Sequence, residues 1–354
     1  HFFPQATLVL VFLTMALVLA VRPQGLMGEL PGAAPREKVT AFQLGGDNRF
    51  FEWIGWIVLA TGSIVFFNAG EYTQSVLENV LIMMLFGLSL QWMMALSGWV
   101  SFGHAAYFGL GAYAAALSHL HWHFNAIMAA MAGVVAAFLA ALCMGKLLQR
   151  STGVYLAMLS LAFAQMVWAT ASQWVSFTGG DNGLIGLQFF DGMSRWIFQV
   201  VLILLCFVTL FGFSRLIRSS FGAALQAGRD APQRAQASAL NVANLNQRVF
   251  LMSAGLAGLS GALWAMSKGA VFPSVASVSN SVDALMVVLL GGVHQLWGAF
   301  AGSLFLVGVG SEIGRYFEYW RGSLGLLIML LMVFAPEGIL GLRKFDKHSA
   351  SRAL

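Results

Sequence analysis

The sequence predicts an all-α protein that crosses a membrane many times. Of its 354 residues, 59% are apolar and 9% are charged, and its mean hydropathy is +0.78. A soluble domain carries about 25% charged residues, far more than this chain offers to water. Uncharged runs such as 196–213 and 249–267 are long enough to cross a bilayer as helices. Helices are required there because lipid offers no hydrogen-bond partners to backbone amides and carbonyls.

The apolar runs predict about ten or eleven transmembrane or re-entrant segments. They lie near 5–21, 52–68, 74–96, 104–120, 126–148, 153–174, 195–214, 245–267, 281–295, 296–315 and 323–340. We expect N-terminal spans and a cytoplasmic linker over 1–70, a transmembrane domain over 71–342 and a cytoplasmic tail over 343–354. The first run lacks the basic start of a signal peptide and is therefore interpreted as a span.

Basic residues indicate which loops face the cytoplasm, because short cytoplasmic loops carry an excess of lysine and arginine. They concentrate at the end of 126–148, in the central loop near 215–244 and in the tail. The loops near 119–125 and 175–194 are poor in lysine and arginine and are predicted to face outward. The basic linker 22–49 is expected in the cytoplasm, which would leave the N-terminus outside.

The net charge of the chain, +5, fits basic cytoplasmic loops beside an anionic lipid leaflet. It does not indicate nucleic-acid binding, since the basic residues are not interleaved with aromatics in one module.

A polar, alanine-rich segment from Phe221 to Val242 interrupts the apolar chain. Its small residues would let a short helix lie flat in the cleft of a soluble partner, and Arg229 and Asp230 could fix it by charge-assisted hydrogen bonds. The alternative is a helix lying on the lipid surface, which would need large apolar residues on one face. Leu240 is nearly alone in that role, so the composition favours docking to a partner.

Three glycine-rich stretches break the pattern of span and loop: Ser97–Tyr113, Thr178–Gly186 and Leu289–Gly302. Glycine permits tight turns and close backbone contact, and discontinuous helices in corresponding halves indicate a substrate path. The first and third stretches are candidates for that pair, and the second is expected to form an outer turn. The predicted substrate-path residues are Ser101, Gly103, His104, Gly179, Gly180, Asp181, Asn182, Gly291 and Gly292.

Histidines and acids within the apolar runs allow more than one interpretation. His104 could face a cavity, or form a hydrogen bond to Ser101 or to a carbonyl. The HLHWH run at 119–123 could hold a metal, but an interfacial aromatic belt is the favoured interpretation, and no metal site is predicted. In an ion-driven carrier, acids such as Glu78, Asp283 and Glu312 would bind the coupling ion. Glu312 is instead expected to pair with Arg315.

Six motifs follow one another along the chain: SGWVSFGHAAYFGLGAYAAA, RSTGVYLAMLSLAFAQMV, FTGGDNGLIGL, GRDAPQRAQASALNV, VVLLGGVHQLWGAFAG and VFAPEGILGL. In this order they resemble the membrane permease subunits of branched-chain amino-acid ABC importers. The resemblance covers roughly Leu77 to Leu342. Permeases for urea and short amides look alike at these positions, so the motifs do not identify the substrate.

The resemblance implies an ABC importer permease fold in a bacterial inner membrane, and no enzymatic activity in the chain itself. A second permease subunit would complete a heterodimeric pore, and two cytoplasmic ATPase subunits would bind ATP and magnesium. A periplasmic binding protein would deliver branched-chain or related amino acids, which cross by alternating access. No cofactor is expected in this chain, which contains no P-loop motif.

The resemblance also implies which residues dock into an ATPase groove, all within Gly222–Asn241, here called the coupling segment. They are Gly222, Arg229, Asp230, Arg234, Ala235, Ala237 and Asn241. The chain departs from the family pattern at Ala239, where glycine is usual, at Pro232, where a polar or acidic residue is usual, and at His294, where glycine is usual. An ion-coupled secondary carrier remains the alternative of another class, and an intramembrane enzyme is disfavoured because no nucleophile–base pair is recognisable.

Overall fold

The computed structural model describes residues 70–149, 151, 153–189 and 195–316, with isolated positions at 10–15, 18, 322, 325, 326, 329, 338 and 339. Apart from those positions, the predicted segments near 5–21, 52–68 and 323–340 lie outside the described residues. The same holds for the predicted N-terminal linker and C-terminal tail.

The described chain is helical almost throughout, which confirms the predicted all-α class. Its helices are α1 Glu71–Ser97, α2 His104–Trp122, α3 Ala126–Leu148, α4 Val154–Gln173, α5 Val175–Thr178, α6 Arg195–Arg218, α7 Ser220–Asp230, α8 Pro232–Ala237, α9 Val242–Lys268, α10 Val278–Gly291, α11 Gly298–Ser303 and α12 Gly310–Tyr316. Single 3₁₀ turns cover Gly180–Asn182 and Pro273–Ala276, and a π-helical turn covers Leu304–Val309. Strands β1 Leu184–Ile185 and β2 Ala270–Val271 pair antiparallel.

Five of the described helices, α1, α3, α4, α6 and α9, are long and apolar enough to cross a membrane. They coincide with predicted segments 74–96, 126–148, 153–174, 195–214 and 245–267 within a few residues. The predicted segment 296–315 is found as α11, the π-helical turn and α12 in succession. A π-helical turn within this run locally changes the helical register.

The first compact unit contains the described residues of 92–189 and 220–283. Its core is formed by α2, α3 and α9, which pack along one another. A Cβ atom added to Gly111 of α2 would lie 2.1 Å from the carbonyl oxygen of Gly258 in α9. Glycine at these positions therefore brings two helix backbones into direct contact, as is common between membrane helices.

The second compact unit contains the described residues of 70–91, 195–219 and 284–316. Near the start of α1, the Glu78 carboxylate is 1% exposed and accepts hydrogen bonds from Arg195 Nε at 3.3 Å and Gln199 Nε2 at 3.0 Å. These bonds join α1 to α6. Cys206 is also buried between these helices, consistent with a packing role.

Candidate functional site

The first glycine-rich stretch forms a real break between two helices. Helix α1 ends at Ser97 and α2 begins at His104, and the backbone between them is not helical. The Phe102 amide donates to Ser160 Oγ at 3.1 Å. The Ala105 amide, in the first turn of α2, donates to Ser281 Oγ at 2.8 Å. Side chains of α4 and α10 thus satisfy amides that have no partner within a helix.

His104 lies at the buried start of α2. Its Nε2 is 3.2 Å from Ser253 Oγ of α9, and its ring stands edge-on to Tyr107 with centroids 5.9 Å apart. The sequence allowed two environments for this side chain, a cavity or a local hydrogen bond. The structure gives a hydrogen-bond contact to a different partner, 149 positions away in the sequence. Ser101 is also buried, and its hydroxyl accepts from the Gly103 amide at 3.3 Å.

Gly103 is fixed by close packing against α4. A Cβ atom at this position would lie 2.0 Å from the carbonyl oxygen of Ser160. No side chain fits there, because real Cβ atoms do not approach backbone oxygen so closely. Ser101, Gly103 and His104 therefore build one buried junction, and their contact with substrate stays a prediction.

The second glycine-rich stretch forms a tight turn with an exposed polar tip. Gly179 and Gly180 have φ of +78° and +58°. The Thr178 hydroxyl donates to the carbonyl of Ala171, at 2.7 Å. Asp181 and Asn182 are exposed on the 3₁₀ turn that follows. The turn is thus anchored to α4 while its acidic tip remains accessible.

The third stretch breaks the chain between α10 and α11. Gly292 has φ of +104°, and a Cβ atom on Gly291 would lie 1.8 Å from the carbonyl oxygen of Gly298. The two helix ends therefore touch backbone to backbone. Gly291 and Gly292 lie at the turn between the two helices, where the sequence predicted a break.

Gln91, a residue that sequence analysis missed, holds this third stretch together. Its side chain is fully buried in α1. Its Nε2 donates to the carbonyls of Gln295 at 2.6 Å and Val293 at 3.1 Å, and its Oε1 accepts from the Ala299 amide at 3.2 Å. One amide side chain thus satisfies both the turn and the start of α11. The available signal was a polar residue deep in an apolar run.

The two interrupted stretches share one construction. In each, the first turn of the following helix donates an amide to a buried side chain from another helix, Ser281 for α2 and Gln91 for α11. Broken helices at membrane depth need such partners because lipid cannot supply them. The resemblance in construction supports the predicted pairing of the two stretches.

The coupling segment folds as two short helices joined at Ala231. Along α8, Gln233, Arg234 and Gln236 are exposed, and so is Ala237. Gly222 and Ala235 are buried. Asn241 Oδ1 accepts from the Asn244 amide at 3.1 Å and so caps α9.

Arg229 points inward, unlike its expected orientation toward a partner. Its side chain is 7% exposed, and Nη1 donates to the Ala95 carbonyl at the end of α1. Its Nε forms an ion pair with Asp230 Oδ1 at 2.8 Å, and Asp230 itself is 45% exposed. The sequence could not indicate this orientation, because the acceptor lies 134 positions away.

Ala239, one of the departures from the family pattern, has an unusual backbone conformation. Its φ is +59°, in the left-handed region. Glycine adopts this region freely, whereas the Cβ of alanine costs about 1–2 kcal/mol there. The backbone at Ala239 thus has a conformation that glycine would adopt without this cost.

The HLHWH run ends α2 at the predicted outer face. His119 Nδ1 lies 2.8 Å from the Phe124 carbonyl, and His121 Nδ1 lies 3.1 Å from the Leu117 carbonyl. The ring of His119 lies 4.4 Å from that of Phe189. The interpretation of this run as an interfacial aromatic belt stays a prediction. Among the described residues, no three metal-binding side chains come together.

Comparison with known proteins places these features in a family. Residues 72–336 match the family model described as "Branched-chain amino acid transport system / permease component". The high-affinity branched-chain amino acid transport permease protein LivM of Escherichia coli K12 is 29% identical over 77% of this chain and 71% of its own length. LivM of Salmonella typhimurium LT2 is 30% identical over 73% of this chain and 68% of its own length.

A more distant relative is the probable branched-chain amino acid transport permease protein LivM of Methanocaldococcus jannaschii. It is 24% identical over 60% of this chain and 66% of its own length. No solved structure matches the chain. Because the family match includes both interrupted stretches and the coupling segment, this multi-pass membrane protein belongs to the permease component family of branched-chain amino-acid transport systems.

Proposed function

We propose that this chain is one of two pore-forming permease subunits in an ATP-driven importer of branched-chain or related amino acids. A periplasmic binding protein delivers the amino acid, and two cytoplasmic ATPase subunits bind ATP with magnesium and drive alternating access in the plasma membrane. The names of the relatives support the substrate class. A urea or short-amide permease is the second candidate, because its motifs are alike at the same positions.

The observation that carries this proposal is the exposed polar helix α8, which together with α7 separates the apolar helices α6 and α9 along the chain. Its outward residues, Gln233, Arg234 and Gln236, are polar and flank small alanines. A helix anchored in lipid would present large apolar side chains. The exposed face of α8 instead suits a shallow groove on a soluble protein, with Arg234 available for a charge-assisted hydrogen bond.

Each interrupted stretch is, by itself, a candidate for lining the substrate path in this proposal. Each contains closely packed glycine backbone and a few buried polar groups. Apolar walls suit a branched side chain, and exposed backbone groups at helix breaks can accompany the charged ends of an amino acid. The binding protein would provide most of the selectivity, with Asp181 and Asn182 on the outer turn as candidate contacts for it.

Ion coupling is less well supported by the acidic residues. The Glu78 carboxylate forms an ion pair with Arg195 and accepts a hydrogen bond from Gln199. Glu312 is paired with Arg315 at 3.6 Å, and both side chains are 55% exposed. An ion-coupled carrier needs intramembrane acids that can release their partners and bind the ion. ATP-driven transport requires no such group in this chain.

Charge reversal at Arg234 tests the docking surface. We expect Arg234→Glu to lower the amount of ATPase subunit that co-purifies with the permease by about tenfold, as for loss of one charge-assisted contact at an interface. Arg248→Glu is the matched control, since Arg248 is also exposed but lies on α9. Equal co-purification for Arg234→Glu and the wild-type chain, in a correctly folded preparation, would refute docking through α8.

A further inference from the structure

The inward position of Arg229 gives the coupling segment a connection to the first interrupted stretch. Arg229 is the last residue but one of α7, and its guanidinium group donates to Ala95 near the end of α1. Both residues belong to the same compact unit. The arginine therefore links the segment expected to dock with an ATPase to the helix that leads into Ser101, Gly103 and His104.

Arg229 supplies a hydrogen-bond donor to a carbonyl at the C-terminal end of α1. The last four carbonyls of a helix have no partner within it. The Met94 carbonyl accepts from the Gly98 amide at 3.1 Å, and the Ala95 carbonyl accepts from Arg229. A cation at this end also interacts favourably with the helix dipole.

The stem of Arg229 lies directly on the glycine that begins the break. Gly98 has φ of +72°, and a Cβ atom there would lie 3.1 Å from Arg229 Cγ and 3.4 Å from Cδ. The next residue, Trp99, packs its ring 6.3 Å from that of Phe250 in α9. A displacement of α7 would thus be transmitted to the turn through van der Waals contact as well as through a hydrogen bond.

The remaining guanidinium nitrogen of Arg229, Nη2, differs from Nε and Nη1 in its surroundings. Among the described residues, Arg229 Nη2 is buried and has no hydrogen-bond partner. Buried charged donors are normally satisfied, and an exception requires a physical reason. A second arrangement of the end of α1, in which another carbonyl reaches Nη2, would provide it.

On this basis, and resting on the proposed function, we propose that Arg229 is a positioning residue that transmits movement of the docked coupling segment to the break at Gly98–Gly103. Arg229 does not contact the ATPase itself. Its planar guanidinium group contacts Asp230 through Nε and Ala95 through Nη1, a fixed spacing of two donors that the single nitrogen of lysine does not reproduce. Arg229 and Arg234 therefore have separate roles: Arg234 binds the partner, and Arg229 transmits its motion.

The test compares Arg229→Gln and Arg229→Lys with Arg234→Glu in the complete complex, reconstituted in proteoliposomes. Three quantities are measured: ATPase subunit bound per permease, ATP hydrolysed and leucine taken up. Arg229→Gln is expected to keep the ATPase bound while uptake per ATP falls at least about fivefold, the lower range of coupling between sites. Arg229→Lys is expected to fall between Arg229→Gln and the wild-type chain.

Two outcomes would overturn the inference: unchanged uptake per ATP in Arg229→Gln, or loss of ATPase binding as severe as in Arg234→Glu. If the wild-type chain itself bound no ATPase, the proposed function would fail instead.

If Arg229→Gln does not assemble, the Gly98→Ala variant tests the inference. The added methyl group crowds the contact between position 98 and the Arg229 side chain without removing the charge. Gly153→Ala is its control, since Gly153 also has positive φ, of +58°, but open surroundings. Reduced uptake per ATP in Gly98→Ala alone supports the inference, and equal behaviour of the two variants contradicts it.

Discussion

Replacing Gln91 with leucine will destabilise the purified protein by about 3 kcal/mol or more, because it leaves several buried backbone groups without partners at once. The carbonyls of Val293 and Gln295 lose their donor, and the Ala299 amide loses its acceptor. Leucine has nearly the same volume, so packing is largely preserved and the lost hydrogen bonds dominate. The measurement is the thermal unfolding midpoint in detergent, followed by uptake in proteoliposomes.

Gln188→Leu is the control for this change, because Gln188 is exposed just after the second glycine-rich stretch. Exposed substitutions of this kind usually change stability by less than about 0.5 kcal/mol. Gln91→Glu should be at least as destabilising as Gln91→Leu, since a buried carboxylate would face the carbonyl oxygens of Val293 and Gln295 with no proton to donate to them. If Gln91→Leu unfolded at the same temperature as Gln188→Leu, the role assigned to Gln91 would be wrong.

Gly103→Ala will abolish most of the uptake while costing about 1–3 kcal/mol of stability, in the range of an overpacked core. The added methyl group would lie 2.0 Å from the Ser160 carbonyl oxygen, so α2 and α4 must move apart at the first interrupted stretch. This movement also weakens the hydrogen bond from Phe102 to Ser160. Uptake and unfolding midpoint, measured on the same preparation, separate the effect on transport from the effect on folding.

Gly212→Ala provides the comparison for Gly103→Ala. Gly212 lies in α6 and has no neighbouring atom within 4 Å of an added Cβ. Alanine there should be neutral or slightly stabilising, because alanine favours helix by up to about 1 kcal/mol over glycine. If Gly103→Ala took up substrate as fast as the wild-type chain, transport would not require the close packing of α2 against α4 at Gly103.

The sequence was sufficient to predict the five long apolar helices among the described residues and the positions of the two breaks. Long uncharged runs predict membrane helices, and the glycine clusters at 98–103 and 291–298 coincide with the two interruptions. The family resemblance, the helical class and the exposed polar face of α8 follow from features local in the sequence. Such local patterns depend on the residues themselves and need no knowledge of distant partners.

What the sequence could not predict are contacts between distant residues. His104 meets Ser253, Gln91 meets Gln295, and Arg229 meets Ala95 across gaps of 149, 204 and 134 positions. Hydropathy indicates that such a polar side chain is buried or functional, but it does not identify the partner. The orientation of Arg229 shows the consequence: composition predicted an outward charge, and the open end of α1 supplied an acceptor inside the protein.

The most direct test of the central claim is uptake of leucine by proteoliposomes that contain this chain, its partner permease and the two ATPase subunits, with the binding protein outside. The account predicts uptake only when ATP is present inside and the binding protein is present outside, and no uptake with a nonhydrolysable ATP analogue. Uptake driven by a proton or sodium gradient, without ATP or the ATPase subunits, would contradict it.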